Sequence, residues 1–145
     1  MRRVLAGVVG ATLLAGLAPA VAGVVPPDDA LHTYRVGSAY ARVAADHVDI
    51  GDDEVSRTWS IAGGSVETTS LTGPDGTEWA TTGPDFTIDL GGVTTTSTSG
   101  WTLSYVQAFA QRDRVEVEFR FNPVDPALPT GVTLSRDITL APGES

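Results

Sequence analysis

The chain has no cysteine and no lysine, only two histidines and one methionine, and few positive charges to set against its acids. Each scarcity excludes something. Without cysteine there is no disulfide framework, no thiol chemistry and no lipid anchor on a cysteine, although an oxidising compartment would permit disulfides. Stability therefore has to come from apolar burial and backbone hydrogen bonds. Nine basic residues, all arginine, face eighteen acidic ones, for a formal net charge of −9. A surface this acidic repels phosphate backbones and anionic headgroups, which argues against nucleic acid and membrane-surface partners. No H-E-x-x-H helix motif, phosphate-binding glycine loop or G-x-S-x-G elbow occurs. No cofactor is implied.

The one long apolar run is at the start. Arg2 and Arg3 form a short positive head, and Val4 to Leu17 is uncharged and built almost wholly from Val, Leu, Ala and Gly. That length suits the h-region of a secretory signal peptide and falls short of the roughly 20 residues of a membrane span. Ala20-Val21-Ala22 fits the small-x-small rule, so cleavage is expected between Ala22 and Gly23, with Ala18-Pro19-Ala20 as the competing site. The reading is a secreted protein, free of the membrane after cleavage. Loss of Arg2 and Arg3 makes the remaining chain more acidic by two charges. Residues 23–30, with two Pro and two Asp, read as a flexible leader to a single domain over residues 31–145.

From Leu31 onward the pattern is strand, turn, strand. Arg114 to Phe121 is the clearest case. Val115, Val117, Phe119 and Phe121 alternate with Glu116, Glu118 and Arg120, so a period of two gives one apolar and one charged face. Trp101 to Gln111 is expected to pair with it through a turn at Gln111-Arg112-Asp113. Val55 to Ile61 and Val66 to Leu71 flank Gly63-Gly64, a pair suited to positive φ. Two Thr-Gly-Pro-Asp tetrapeptides, Thr72 to Asp75 and Thr82 to Asp85, read as turns bracketing a short strand at Glu78-Trp79-Ala80. Phe86 to Leu90 is a further strand, Thr94 to Gly100 an exposed loop or edge, and Val132 to Leu140 the last strand. Eight to ten short strands with regular turn signals predict an all-β, antiparallel β-sandwich. The chain stops soon after Pro142-Gly143, where a turn should lead onward. An incomplete sandwich, the front of a longer protein, is therefore expected.

Signals for chemistry are sparse. Asp46, Asp49, Asp52, Asp53 and Glu54 crowd one stretch, but their spacing matches no calcium loop, and a solvated turn is the better reading. His32 and His47 read as surface histidines. Glu116 and Glu118 suggest the carboxylate pair of a glycosidase, yet lie on the polar face of one strand beside Arg114 and Arg120. Among the three tryptophans, Trp59 and Trp101 are expected in the core. Trp79 is the candidate for stacking on a sugar ring. No catalytic or metal-ligating residue is assigned.

His47-Val48-Asp49-Ile50-Gly51-Asp52-Asp53-Glu54-Val55-Ser56-Arg57-Thr58-Trp59 resembles the opening of the N-terminal β-sandwich of family 36 glycoside hydrolases, the α-galactosidase type. In those domains a strand, a Gly-Asn turn and a strand carrying Arg-x-Trp or Arg-x-Phe follow one another. Here Gly51-Asp52 replaces Gly-Asn. Thr68-Thr69-Ser70-Leu71 followed by Glu78-Trp79 is similar to the next hairpin. Ser135 to Glu144 resembles a strand ending in Tyr-Pro-Gly-Glu, with Ala141 in place of the aromatic. The resemblance spans residues 45–145 and implies a mutarotase-like sandwich that precedes a catalytic barrel. It implies a non-catalytic domain supporting carbohydrate hydrolysis by a downstream domain. No catalytic residue carries over, and this chain alone is expected to have no activity. The other readings are a free-standing secreted carbohydrate-binding or adhesion sandwich and a purely structural β-domain.

Overall fold

The computed structural model describes residues 31–143. The signal peptide, the leader and the Ala22–Gly23 cleavage point lie outside the described residues. Within them the chain is all-β and antiparallel, with eleven strands and no helix.

Six strands pair in strict sequence order to form the first sheet. They are β1 (His32–Val36), β2 (Ala39–Val43), β3 (His47–Gly51), β4 (Ser56–Ala62), β5 (Ser65–Thr72) and the two-residue β6 (Gly83–Pro84). A hairpin ribbon follows, β7 (Thr87–Leu90) with β8 (Val93–Thr96). The second sheet has β10 (Val115–Pro123) at its centre, flanked by β9 (Trp101–Ala110) and β11 (Leu134–Leu140).

Period-two alternation decides which side chains meet. Val115, Val117, Phe119 and Phe121 are each no more than 1% exposed, while Glu116 and Glu118 point outward, bonded to Gln111 and Arg120. From the opposite sheet come Ala41, Val43, Val48, Ile50, Trp59 and Val66. Trp59 packs on Phe119 with ring centroids 5.4 Å apart, and Phe119 stacks near Phe121 at 6.4 Å. These contacts between facing sheets make the core of the sandwich. Trp101 is 3% exposed and donates its indole N–H to Thr95 at 2.7 Å. Trp59 and Trp101 are thus core residues, as their strand positions imply.

Two glycines hold places a side chain would not fit. Gly51 lies where a Cβ would come within 2.7 Å of the Tyr40 hydroxyl and 2.8 Å of the Ser56 Cβ. At Gly64 φ is +84°, and a Cβ would fall 2.2 Å from Thr102 Oγ1. That close approach brings the β4–β5 turn onto β9, where the Gly64 carbonyl accepts Leu103 N–H at 2.7 Å.

Several local expectations need correction. Glu78-Trp79-Ala80 is not a strand: a single bridge, Thr72 to Glu78, is all that forms. Thr94 to Gly100 is in part an edge, since Val93–Thr96 is β8 of a two-stranded ribbon, but it is not exposed throughout: Thr95 and Ser97 are buried. The two Thr-Gly-Pro-Asp tetrapeptides take different structures. In the first, Gly76 N–H bonds the Gly73 carbonyl at 3.0 Å and Asp75 accepts Thr77 N–H, closing a turn. In the second, Gly83 and Pro84 are drawn out as β6 beside Glu67 and Thr68. Proline is tolerated there because β6 is an edge.

Candidate functional site

β6 delivers Asp85 into the interior, and this is the chemical centre of the described structure. The Asp85 side chain is 1% exposed. Two arginines reach it, one from each sheet. Arg57 on β4 places Nη2 2.8 Å from Asp85 Oδ1. Arg136 on β11 pairs with Oδ2 through Nη1 and also donates to the Asp85 carbonyl at 3.1 Å. Trp59 Nε1 donates to Oδ1 at 2.6 Å, and Thr68 Oγ1 donates to it at 3.1 Å. Arg57 Nη2 also donates to Thr68 Oγ1 at 2.7 Å. Asp85 N–H is taken by Ser97 Oγ at 2.7 Å, which itself donates to the Val66 carbonyl at 2.5 Å. The network thus ties β4, β5 and β11 to one carboxylate, and the segment after β8 to the same residue's main-chain N–H.

Strand period explains how the arginines arrive there. Arg57 lies on the same face of β4 as Trp59 and Ile61. Cross-strand register puts it in a row with Ile50 on β3 and Leu71 on β5. Arg136 shares its face of β11 with Leu134, Ile138 and Leu140. Both guanidiniums are therefore on inward-facing rows, where an unpaired charge is costly. Their side chains are 27% and 13% exposed. Burial pushes the Arg57 guanidinium below its ordinary value. Arg136 is lowered to about 10, by burial first and then by repulsion from Arg57. Both stay protonated at neutral pH. The cluster holds two cations and one anion, and Arg57 Nε is buried without an acceptor.

Beside the ion cluster is a cleft of about 90 Å³ between the first sheet and β11. Ile50, Val55, Leu71 and Ile138 supply apolar walls, and Arg57 and Arg136 are its cationic surface.

The residues singled out from sequence lie elsewhere. Trp79 is 56% exposed, on the loop between β5 and β6. Its ring lies over Gly73, where a Cβ would come within 2.2 Å of it. Its loop is pinned by Glu78, which accepts from Ser70 Oγ at 2.6 Å, Leu71 N–H at 2.6 Å and Ala80 N–H at 3.3 Å. In the acidic stretch, Asp52 caps the β3–β4 turn by accepting Glu54 and Val55 N–H, and Asp46 bonds His47 Nδ1 at 2.6 Å. Among the described residues no three His, Asp or Glu side chains gather as a metal site would require. Glu116 and Glu118 remain on the outer face. His32 lies on β1. None of these joins the Asp85 cluster.

Glu78 gives a pH expectation. Hydrogen bonds from Ser70, then from Leu71 N–H, hold its carboxyl below the ordinary carboxylate value. A depressed folded pKa stabilises the loop above the unfolded value and loses that contribution as pH falls through the folded one. The amides of Leu71 and Ala80 should therefore exchange faster as pH falls below about 4, measured against neighbouring amides by NMR with the intrinsic rate removed. Unchanged protection down to pH 2 would contradict this pinning role.

No family model matches the chain, and neither a curated protein nor a solved structure matches it.

Proposed function

We propose that this chain is the non-catalytic β-sandwich of an exported glycoside hydrolase of the α-galactosidase type, serving a catalytic domain encoded beyond Ser145. One observation supports this reading most. Two stretches that carry the family resemblance, far apart in sequence, meet at one carboxylate: Arg57 and Trp59 from one, Arg136 from the other. On this reading the motif residues are scaffold, fixing one sheet against the other, and carbohydrate is the partner of the whole enzyme. Asp85 suits that role. Its Oδ1 is held by the Arg57 guanidinium, an indole and a hydroxyl, and its Oδ2 by Arg136, which leaves the carboxylate engaged in structure rather than placed for proton transfer to a sugar.

The experiment has two arms. The coding sequence past Ser145 should encode a barrel with paired acidic residues. The intact chain alone should give no turnover of an aryl α-galactoside, while a protein that includes the downstream domain should. A natural stop codon at Ser145, or hydrolysis by the chain alone, would sink the proposal.

Trp79 favours a second reading, a free-standing carbohydrate-binding sandwich. Its exposed indole is braced from behind by Gly73, which presents a flat apolar face to solvent. On this reading a glycan array shows saturable binding, and Trp79→Ala abolishes it with the melting temperature within about 1–2 °C of the parent, as surface substitutions usually leave it. Absence of glycan binding by the unaltered chain rules this reading out.

A further inference from the structure

The cleft beside the ion cluster has a charge that its walls do not explain. A buried cation is ordinarily matched by an anion. Among the described residues Arg57 and Arg136 share Asp85 as their one ion-pair partner, so the cluster carries one positive charge in excess there, within a protein whose formal net charge is −9. The positive charge is local, and the surfaces next to it are the aliphatic side chains of Ile50, Leu71 and Ile138. Guanidinium beside aliphatic wall is the complement of a carboxylate on a short hydrocarbon chain. The guanidinium fork suits a carboxylate because it can offer two parallel N–H donors. Arg57 bonds Asp85 and Thr68 through Nη2, and its guanidinium lies over the Trp59 ring at 4.9 Å.

Size narrows the class. At about 90 Å³ the cleft is smaller than the roughly 150 Å³ engineered cavity that accepts benzene. It suits a carboxyl group with two or three carbons behind it, not a sugar ring. We propose that this cleft binds a small aliphatic monocarboxylate, with its carboxylate against Arg57 and Arg136 and its chain against Ile50, Leu71 and Ile138. The site is independent of the glycosidase reading and stands on the charge count and the walls.

The test uses the intact chain and three probes at matched ionic strength: butyrate, butyramide and sulfate. Binding is followed by ¹H–¹⁵N NMR shifts of Arg57, Leu71 and Ile138. Butyrate should saturate in the millimolar range. Butyramide, which keeps the chain and loses the charge, should bind at least tenfold more weakly. Sulfate, which keeps charge and loses the chain, should also bind at least tenfold more weakly. No saturable shift with butyrate overturns the proposal, as does equal binding of either other probe. Leu71→Trp fills the cleft from the first sheet, and Ile138→Trp fills it from the opposite wall. Either variant, once shown folded by its melting temperature, should weaken butyrate at least tenfold. Undiminished binding in a folded variant places the carboxylate elsewhere and overturns the assignment.

Discussion

Asp85→Ala should destabilise this domain by about 3–5 kcal/mol, toward the lower end of the range for breaking a buried ion pair because Arg57 keeps some contact with water. The substitution removes little apolar contact. Its cost comes from leaving two guanidiniums and the Trp59 indole N–H without their acceptor. With an urea m-value of about 1–3 kcal/mol per molar, the unfolding midpoint should fall by roughly 1–3 M. Since single domains have about 5–15 kcal/mol in all, a marginal background would leave the variant partly unfolded at room temperature. Replacing all three charges together with apolar residues of similar volume should recover most of the loss, because no unpaired charge then stays inside. A fall in midpoint below about 0.5 M for Asp85→Ala, or no recovery in the triple variant, would show that the cluster is not the pin described.

Trp59→Ala has the next largest expected effect. Trp59 is fully buried and packs on Phe119. Deleting a buried aromatic costs about 3–5 kcal/mol through lost burial and the cavity left behind. Trp59→Phe separates packing from polarity. It keeps most of the ring contact and loses the 2.6 Å hydrogen bond to Asp85, a bond to a charged acceptor worth about 1.5–3 kcal/mol. The two side chains share one hydrogen bond, so Trp59→Phe and Asp85→Ala should not add. A double-mutant cycle by chemical denaturation should give a coupling of about 0.5–3 kcal/mol. Strict additivity would mean that the indole donor contributes nothing to holding Asp85.

Strand-level patterning made much of this fold readable from sequence, and the reason is visible in β10. Four apolar side chains alternating with charged ones permit one face inward, and the structure uses it. Glu116 and Glu118 follow from the same pattern. The Asp85 cluster was harder to foresee. Thr82-Gly83-Pro84-Asp85 has the local chemistry of a turn, and its twin at Thr72 is one; tertiary pairing with Glu67 and Thr68 makes the second copy an edge strand. Local preference is weak when an edge is open beside the segment. A usable signal was nevertheless present. Arg57 alternates in phase with Trp59 and Ile61, and Arg136 in phase with Leu134 and Ile138. An arginine on the apolar phase of a strand calls for a buried anion, and both arginines here turn to the same one, Asp85. What no period could reveal is which acid answers, because that depends on how the two sheets close. Trp79 shows the same limit from the other side: its exposure follows from a loop, while its bracing by Gly73 needs coordinates.

The strict sequence order of the first sheet has a kinetic consequence. β1 to β5 pair as successive hairpins, each closing a short loop, so this half of the protein can assemble from nearby contacts at small entropic cost. The Asp85 network is the opposite kind of contact. Its partners lie 28 and 51 residues away in the chain, and the longer link needs β11 in place. The loop-closure cost of so distant a link leads us to expect that it forms after the main barrier, once the hairpins and the Phe119 layer are in contact. Its loss then speeds escape from the native state more than it slows arrival. The ion cluster is in this sense a latch: it sets how long the closed sandwich lasts, and leaves the speed of closing to the hairpins.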